Sequence, residues 1–187
     1  MNLLLTLLIA HLFADFPLQT NTLARLKEKY WRGVFLHVLV HIVVMALLID
    51  QPAQYWPLLL GIGGVHFIID AIKGIAYFLL DQALHGSTLW LAAYWAAQSW
   101  QPAPVGILPD AWLLPVLVGA MIPALMVLLW LWVNTINQEY ASRFYLFDWA
   151  KYQLLAVEQS IGLFLFAFVF LQPALHALPQ FIRGIWR

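Results

Sequence analysis

Polar residues recur at helical spacing inside stretches that are otherwise apolar, and this pattern restricts the fold more than any other feature of the chain. His11, Asp15 and Gln19 form one set, His37 and His41 a second, His66, Asp70 and Lys73 a third, and Asp81, Gln82 and His85 a fourth. On a helix turning about 100° per residue the first set falls within about 80° and the second within about 40°. Each set therefore occupies one helix face. An ionised side chain near the middle of a lipid-facing helix costs roughly 2.5–3.5 kcal/mol, so Asp15, Asp70 and Lys73 turned to lipid would together cost on the order of 8–10 kcal/mol. That rivals the net stability of a whole domain. Such faces are expected to meet one another.

The lipid enters the argument through composition. Of 187 residues, 64% are hydrophobic and 10% charged, which excludes an ordinary soluble globular domain. Ten Trp and twelve Phe suit lipid-facing and interfacial surface. A formal net charge of zero removes bulk electrostatic attraction to nucleic acid. The chain has no Cys, so disulfides, thiolate metal sites and cysteine nucleophiles are excluded, and any metal has to be held by His, carboxylate or amide oxygen. The apolar first nine residues lack a basic n-region and a small-residue cleavage site, and they run straight into His11 and Asp15. They read as a retained first helix.

The expected fold is all-α: a polytopic membrane helix bundle of about six transmembrane helices plus an interfacial amphipathic helix. Segment one covers residues 2–19, just long enough for a hydrocarbon core of about 30 Å. A polar loop, residues 20–32, follows with Arg25, Lys27, Lys29 and Arg32 against Glu28. By the positive-inside rule this loop faces the cytoplasm and the N-terminus faces out, in a bacterial inner membrane. Segment two covers residues 33–49, and the next loop, residues 50–56, has no Lys or Arg. Segment three covers residues 57–80, with Gly61, Gly63 and Gly64 offering a smooth surface for close helix approach. Segment four covers residues 83–100, and segment five residues 111–133, kinked at Pro115 and Pro123. Residues 134–153 mix Glu139, Arg143, Asp148 and Lys151 with aromatics, the composition of a helix lying on the interface. Segment six covers residues 154–171, with Glu158 near its inner end and His176 in the tail beyond. Residues 1–100 thus form a four-helix core carrying the polar sets, and residues 101–187 add two helices, the interfacial helix and the tail to the same integral domain.

With the basic loop cytoplasmic, the four sets lie at one depth, at the inner ends of the first four segments. They can share a pocket open to the cytoplasm. His nitrogen and Asp oxygen suit zinc or a similar divalent ion, and an open coordination position would hold water. The candidate ligands are His11, Asp15, His37, His41, His66 and Asp70. Asp70, Lys73, Asp81 and His85 are the candidate catalytic residues, with Lys73 placed to neutralise a phosphate or a developing oxyanion and Gln82 beside them as a supporting contact. Three functions fit: an intramembrane metal-dependent hydrolase of a lipid-linked or amphipathic substrate, a small cation- or proton-coupled transporter, and a non-enzymatic membrane subunit whose polar cluster holds the bundle or a partner. Membrane lipids are the expected surroundings, and self-association stays open.

The stretches AHLFADFPLQT (residues 10–20), LHVLVH (36–41), VHFIIDAIK (65–73) and DQALH (81–85) together resemble the bacterial membrane-protein family known as domain of unknown function 3307, over about residues 5–90. The resemblance implies no activity. The paired His and Asp on short apolar helices also bear a looser likeness to predicted membrane-bound metal-dependent hydrolases.

Overall fold

A computed structural model describes residues 2–72 and 78–140. Helix α1, Asn2–Asp15, is the axis of the bundle. Its residues Leu7, Ile9, Ala10, Phe13 and Ala14 have no exposed surface, and it packs against α3 (Trp31–Leu48), α5 (Phe78–Ser99) and α6 (Asp110–Tyr140). Helix α4, Trp56–Ala71, closes the ring by packing on both α3 and α5. Among the described residues the fold is all-α, with no strand. At about 1.5 Å per residue, the 14 residues of α1 reach only about 21 Å. Its neighbours, not lipid, cover it, so it does not need a full membrane span.

The outer surface is apolar. Phe35, Leu39, Val43 and Leu47 line the outside of α3, Trp90, Leu91, Tyr94 and Trp95 that of α5, and Leu114, Val118 and Leu125 that of α6, all exposed. Inside, His11, Asp15, His37, His41, His66 and His85 are buried. A soluble protein distributes these classes the other way round. Two helices, Trp31–Leu48 and residues 110–129 of α6, are long and apolar enough to cross a membrane by length and composition.

Several sequence boundaries are corrected. The polar loop expected over residues 20–32 contains a helix, α2 (Asn21–Lys29), started by Thr20, whose Oγ1 accepts from the Leu23 amide at 3.3 Å. Lys27 and Lys29 in its last turn suit the negative end of the helix dipole. Segment one stops as a helix at Asp15 instead of Gln19, where a turn begins. Segment three does not run to Leu80: α4 ends at Ala71, and residues 78–80 open α5. Asp81 therefore sits in the first turn of α5, not at a junction. Helix α6 continues through residues 134–140, so the start of the expected interfacial helix prolongs segment five. Lys73, the rest of the interfacial helix, segment six and the tail with His176 lie outside the described residues.

Two glycines set helix separations near the polar centre. A Cβ on Gly33 would land on the backbone of Leu26 and Lys27, so the tight joint between α2 and α3 needs glycine there. A Cβ on Gly63 would sit 2.7 Å from Ile42 Cδ1 and 3.3 Å from Val38 Cγ1, marking close contact of α4 with α3. Gly61 and Gly64, by contrast, face open space.

The far end of the bundle is fastened by polar contacts. An isolated antiparallel bridge joins Ile49 to Gly106, with the Asp50 amide donating to Val105 O and the Ile107 amide to Leu48 O, both at 2.9 Å. Asn2 donates to Asp110 Oδ1 and accepts from the Gly106 amide, each at 2.8 Å. The α3–α4 and α5–α6 connections are thereby tied to the start of α1.

Candidate functional site

At the opposite end, five imidazoles and two carboxylates from four helices converge. Helix α1 supplies His11 and Asp15, α3 supplies His37 and His41, α4 supplies His66 and Asp70, and α5 supplies His85. Within each of α1, α3 and α4 the two residues are four apart, which stacks them on one inward face. The rings are nearly in contact: centroids are 3.9 Å apart for His41 and His66, 4.1 Å for His66 and His85, and 4.6 Å for His37 and His41.

Asp15 is the centre of one half. Its Oδ1 lies 3.0 Å from both His37 Nε2 and His41 Nε2, and those nitrogens are 3.2 Å from each other. Its Oδ2 lies 3.3 Å from His11 Nε2 and accepts from Gln82 Nε2 at 3.1 Å. Asp70 is the centre of the other half. Its Oδ2 lies 3.1 Å from Lys27 Nζ and 3.6 Å from both His37 Nε2 and His66 Nε2, and its Oδ1 lies 3.6 Å from His85 Nε2.

The hydrogen-bonding capacity of these groups does not close on itself. If His37 and His41 both carry a proton on Nε2, two N–H groups converge on one oxygen with their nitrogens only 3.2 Å apart. If either lacks it, a lone pair faces a carboxylate lone pair. His66 Nε2 and His85 Nε2 are buried without a hydrogen-bond partner, an arrangement that needs an explanation in a dry core. A cation between these atoms would account for it. Donor atoms at about 2.0–2.1 Å from a tetrahedral ion are about 3.3 Å apart, and the triangle of Asp15 Oδ1, His37 Nε2 and His41 Nε2 has edges of 3.0, 3.0 and 3.2 Å. Two groups of potential ligand atoms lie within 4.8 Å of one another: Asp15, His37, His41 and His66, and again His66, Asp70 and His85. The residues present could hold a metal ion, and two neighbouring positions share His66.

Charge leads to the same place. Two buried carboxylates need compensating positive charge, and Lys27 supplies one unit, to Asp70. Around Asp15 the polar partners are imidazoles and the Gln82 amide. Among the described residues, a protonated imidazole or a bound ion would supply the remaining unit.

Supporting contacts aim the ligands. The His85 Nδ1–H donates to Asp81 O at 2.9 Å, and Asp81 Oδ1 lies 3.7 Å from the same nitrogen. With the proton fixed on Nδ1, the Nε2 lone pair faces Asp70. Gln82 bridges the two halves, donating to Asp15 Oδ2 and to Asp81 Oδ2 while its Oε1 lies 3.4 Å from His11 Nε2.

The structure thus brings together His11, Asp15, His37, His41, His66, Asp70 and His85. It places Asp81 behind His85, and His11 beside Asp15 but outside both ligand groups. Gln19 is not among these contacts; its Oε1 is buried without a partner. His85, expected as a catalytic residue, stands among the ligand atoms. Sequence reasoning missed Lys27, which was placed in a cytoplasmic loop. The sequence shows only that Leu23 and Lys27 are four apart on one face of α2; that this face turns inward is seen in the structure, where Leu23 is buried.

No curated protein and no solved structure matches the chain. The family model described as "Protein of unknown function (DUF3307)" matches residues 3–107, a stretch that is more than half of the chain and contains every residue of the cluster, and the chain belongs to that family.

Proposed function

We propose that the chain is a polytopic inner-membrane protein whose His/Asp cluster is a divalent-metal centre, zinc in the first instance, that hydrolyses a lipid-linked or amphipathic substrate near the cytoplasmic face. The observation that carries this reading is the pair of overlapping groups of potential ligand atoms, in which the buried Nε2 atoms of His66 and His85 lack hydrogen-bond partners. The apolar exterior supports the membrane bundle, and the apolar sequence segment 154–171 is the sixth of the expected segments, with α1 the short one at the centre. Orientation follows from charge. Arg25, Lys27, Lys29 and Arg32 lie at the cluster end, and the connections at the far end, residues 49–55 and 100–109, carry no Lys or Arg, so the cluster end faces the cytoplasm.

A bound divalent ion would supply Lewis acidity and a water activated near neutral pH. The chain's own residues do the rest. Asp15, His37 and His41, whose atoms form the triangle of 3.0, 3.0 and 3.2 Å, would hold the ion and leave a position for water, with His66 beside them. Asp70, between His66, His85 and Lys27, is placed to take a proton from an attacking water, and Lys27 Nζ to balance negative charge developing on the scissile group. Lys27 takes the part expected of Lys73. Asp81 keeps His85 turned inward.

Metal analysis of the purified protein under non-chelating conditions tests the centre: one to two equivalents are expected, falling below about 0.2 in the double variant His41→Ala/His66→Ala, which breaks both groups. Background metal in the wild type would end the hydrolase reading. The sharing of His66 also suits one cation passing between two stations, the action of a small transporter. Cation flux into proteoliposomes, lost in His66→Ala, would favour that alternative.

A further inference from the structure

Beside the cluster, α4 and α5 diverge to leave an apolar groove of about 310 Å³. Leu58, Gly61, Ile62 and Val65 line it on α4, and Thr88 and Ala92 line it on α5. The hydroxyl of Thr88 is already committed to Leu84 O at 3.0 Å, so the walls present essentially hydrocarbon. A dry cavity of about 150 Å³ takes one benzene ring, so this volume corresponds to roughly twelve carbons on the same scale.

The groove runs along α4 and α5 toward the level of the cluster. His66 is four residues beyond Ile62 on α4, and His85 is three before Thr88 on the antiparallel α5, so each lies about one turn from a lining residue, on the buried side of its helix. Their rings, 4.1 Å apart, join α4 and α5 just past the groove. Beyond them Asp70 connects to Lys27 at 3.1 Å, and Arg25, Lys29 and Arg32 are exposed on and just after α2. Hydrocarbon walls thus lie next to potentially ligating nitrogens, with a basic helix past them.

We infer that the α4–α5 groove holds the hydrocarbon chain of a phosphate-bearing lipid, with its head group at the His66–His85 end of the cluster within reach of Lys27. This names the substrate class for the hydrolase reading and rests on it. The phosphate matches the basic end in charge, and the chain matches the groove in volume and polarity. Gly61 is the point of entry, since a Cβ there meets nothing within 4 Å.

Dodecyl phosphate, inorganic phosphate and dodecanol serve as probes, titrated into the purified full chain in a rigid sterol-based detergent, with metal content measured on the same samples. Wild type should bind dodecyl phosphate at least tenfold more tightly than either inorganic phosphate or dodecanol. Gly61→Leu and, from the opposite wall, Ala92→Leu should each weaken it at least tenfold with metal content unchanged. Lys27→Gln should weaken dodecyl phosphate but leave dodecanol as in wild type. Equal affinity for inorganic and dodecyl phosphate, in the wild type alone, overturns the inference. So does wild-type binding by both wall variants, the result expected when residues 154–171 of the chain or bulk lipid fill the groove. Metal at background with chain-dependent binding intact would remove the hydrolase reading and keep the groove. Bound metal with chain-independent binding would do the reverse.

Discussion

Asp70 and Lys27 make the least expected contact of the site, and it is the one most open to a residue-level test. The Asp70 side chain is 4% exposed and that of Lys27 25%, so removing the cation strands a buried carboxylate. Lys27→Met should destabilise the protein by about 1–3 kcal/mol, and Asp70→Asn in the same chain should recover part of that loss. A double-mutant cycle on thermal unfolding checks this, and additive losses would mean that the two do not interact. Asp81 gives a finer test because it acts on His85 from behind. Asp81→Asn leaves the backbone acceptor of His85 Nδ1 in place, so metal should stay bound with affinity reduced about tenfold. Full loss would make Asp81 a ligand.

Spacing was enough to identify most of these side chains. Pairs four apart in apolar surroundings face inward wherever a helix forms, and His11, Asp15, His37, His41, His66 and Asp70 follow that rule. Lys27 did not stand out because its partner is 43 positions away and no local pattern links the two.

Among the elements, α2 is what the sequence reading lacked. Nine residues rich in Lys and Arg resemble a hydrated loop, and only Thr20 as a cap and the Leu23–Lys27 spacing point to a helix. Its position depends on Gly33. Gly33→Ala drives a methyl into the Leu26 and Lys27 backbone, so α2 should shift outward and Lys27 should leave Asp70. The stability loss should then approach that of Lys27→Met, and Gly33→Ala added to Lys27→Met should cost little more. Gly63 works differently, since its neighbours are the flexible ends of Ile42 and Val38. Gly63→Ala should cost about 1 kcal/mol, and Gly63→Leu about 1–3 kcal/mol or more together with measurable loss of metal, because α3 and α4 must part where His41 and His66 lie 3.9 Å apart.

For the molecule as a whole, the proposed orientation has its own test. The native chain contains no Cys, so single-cysteine variants report cleanly. Thr22→Cys, at the cluster end, should react with an impermeant maleimide from the cytoplasmic side only, and Gln51→Cys, at the far end, from the opposite side only. Both positions are exposed. Labelling of both from one side would overturn the crossing pattern.

Apolar composition and helical spacing by themselves determined the all-α class, the inward polar faces and the residues on them. These are local properties, fixed by 3.6 residues per turn and by the cost of polar groups against an apolar surround. The tertiary structure decided which faces meet and at what distance. It divided the histidines between Asp15 and Asp70, made Lys27 the partner of Asp70, set Asp81 behind His85 and opened the groove between α4 and α5. Ligand geometry is a matter of ångströms between helices, and those distances come from glycine contacts, short turns and the packing of α1 at the centre.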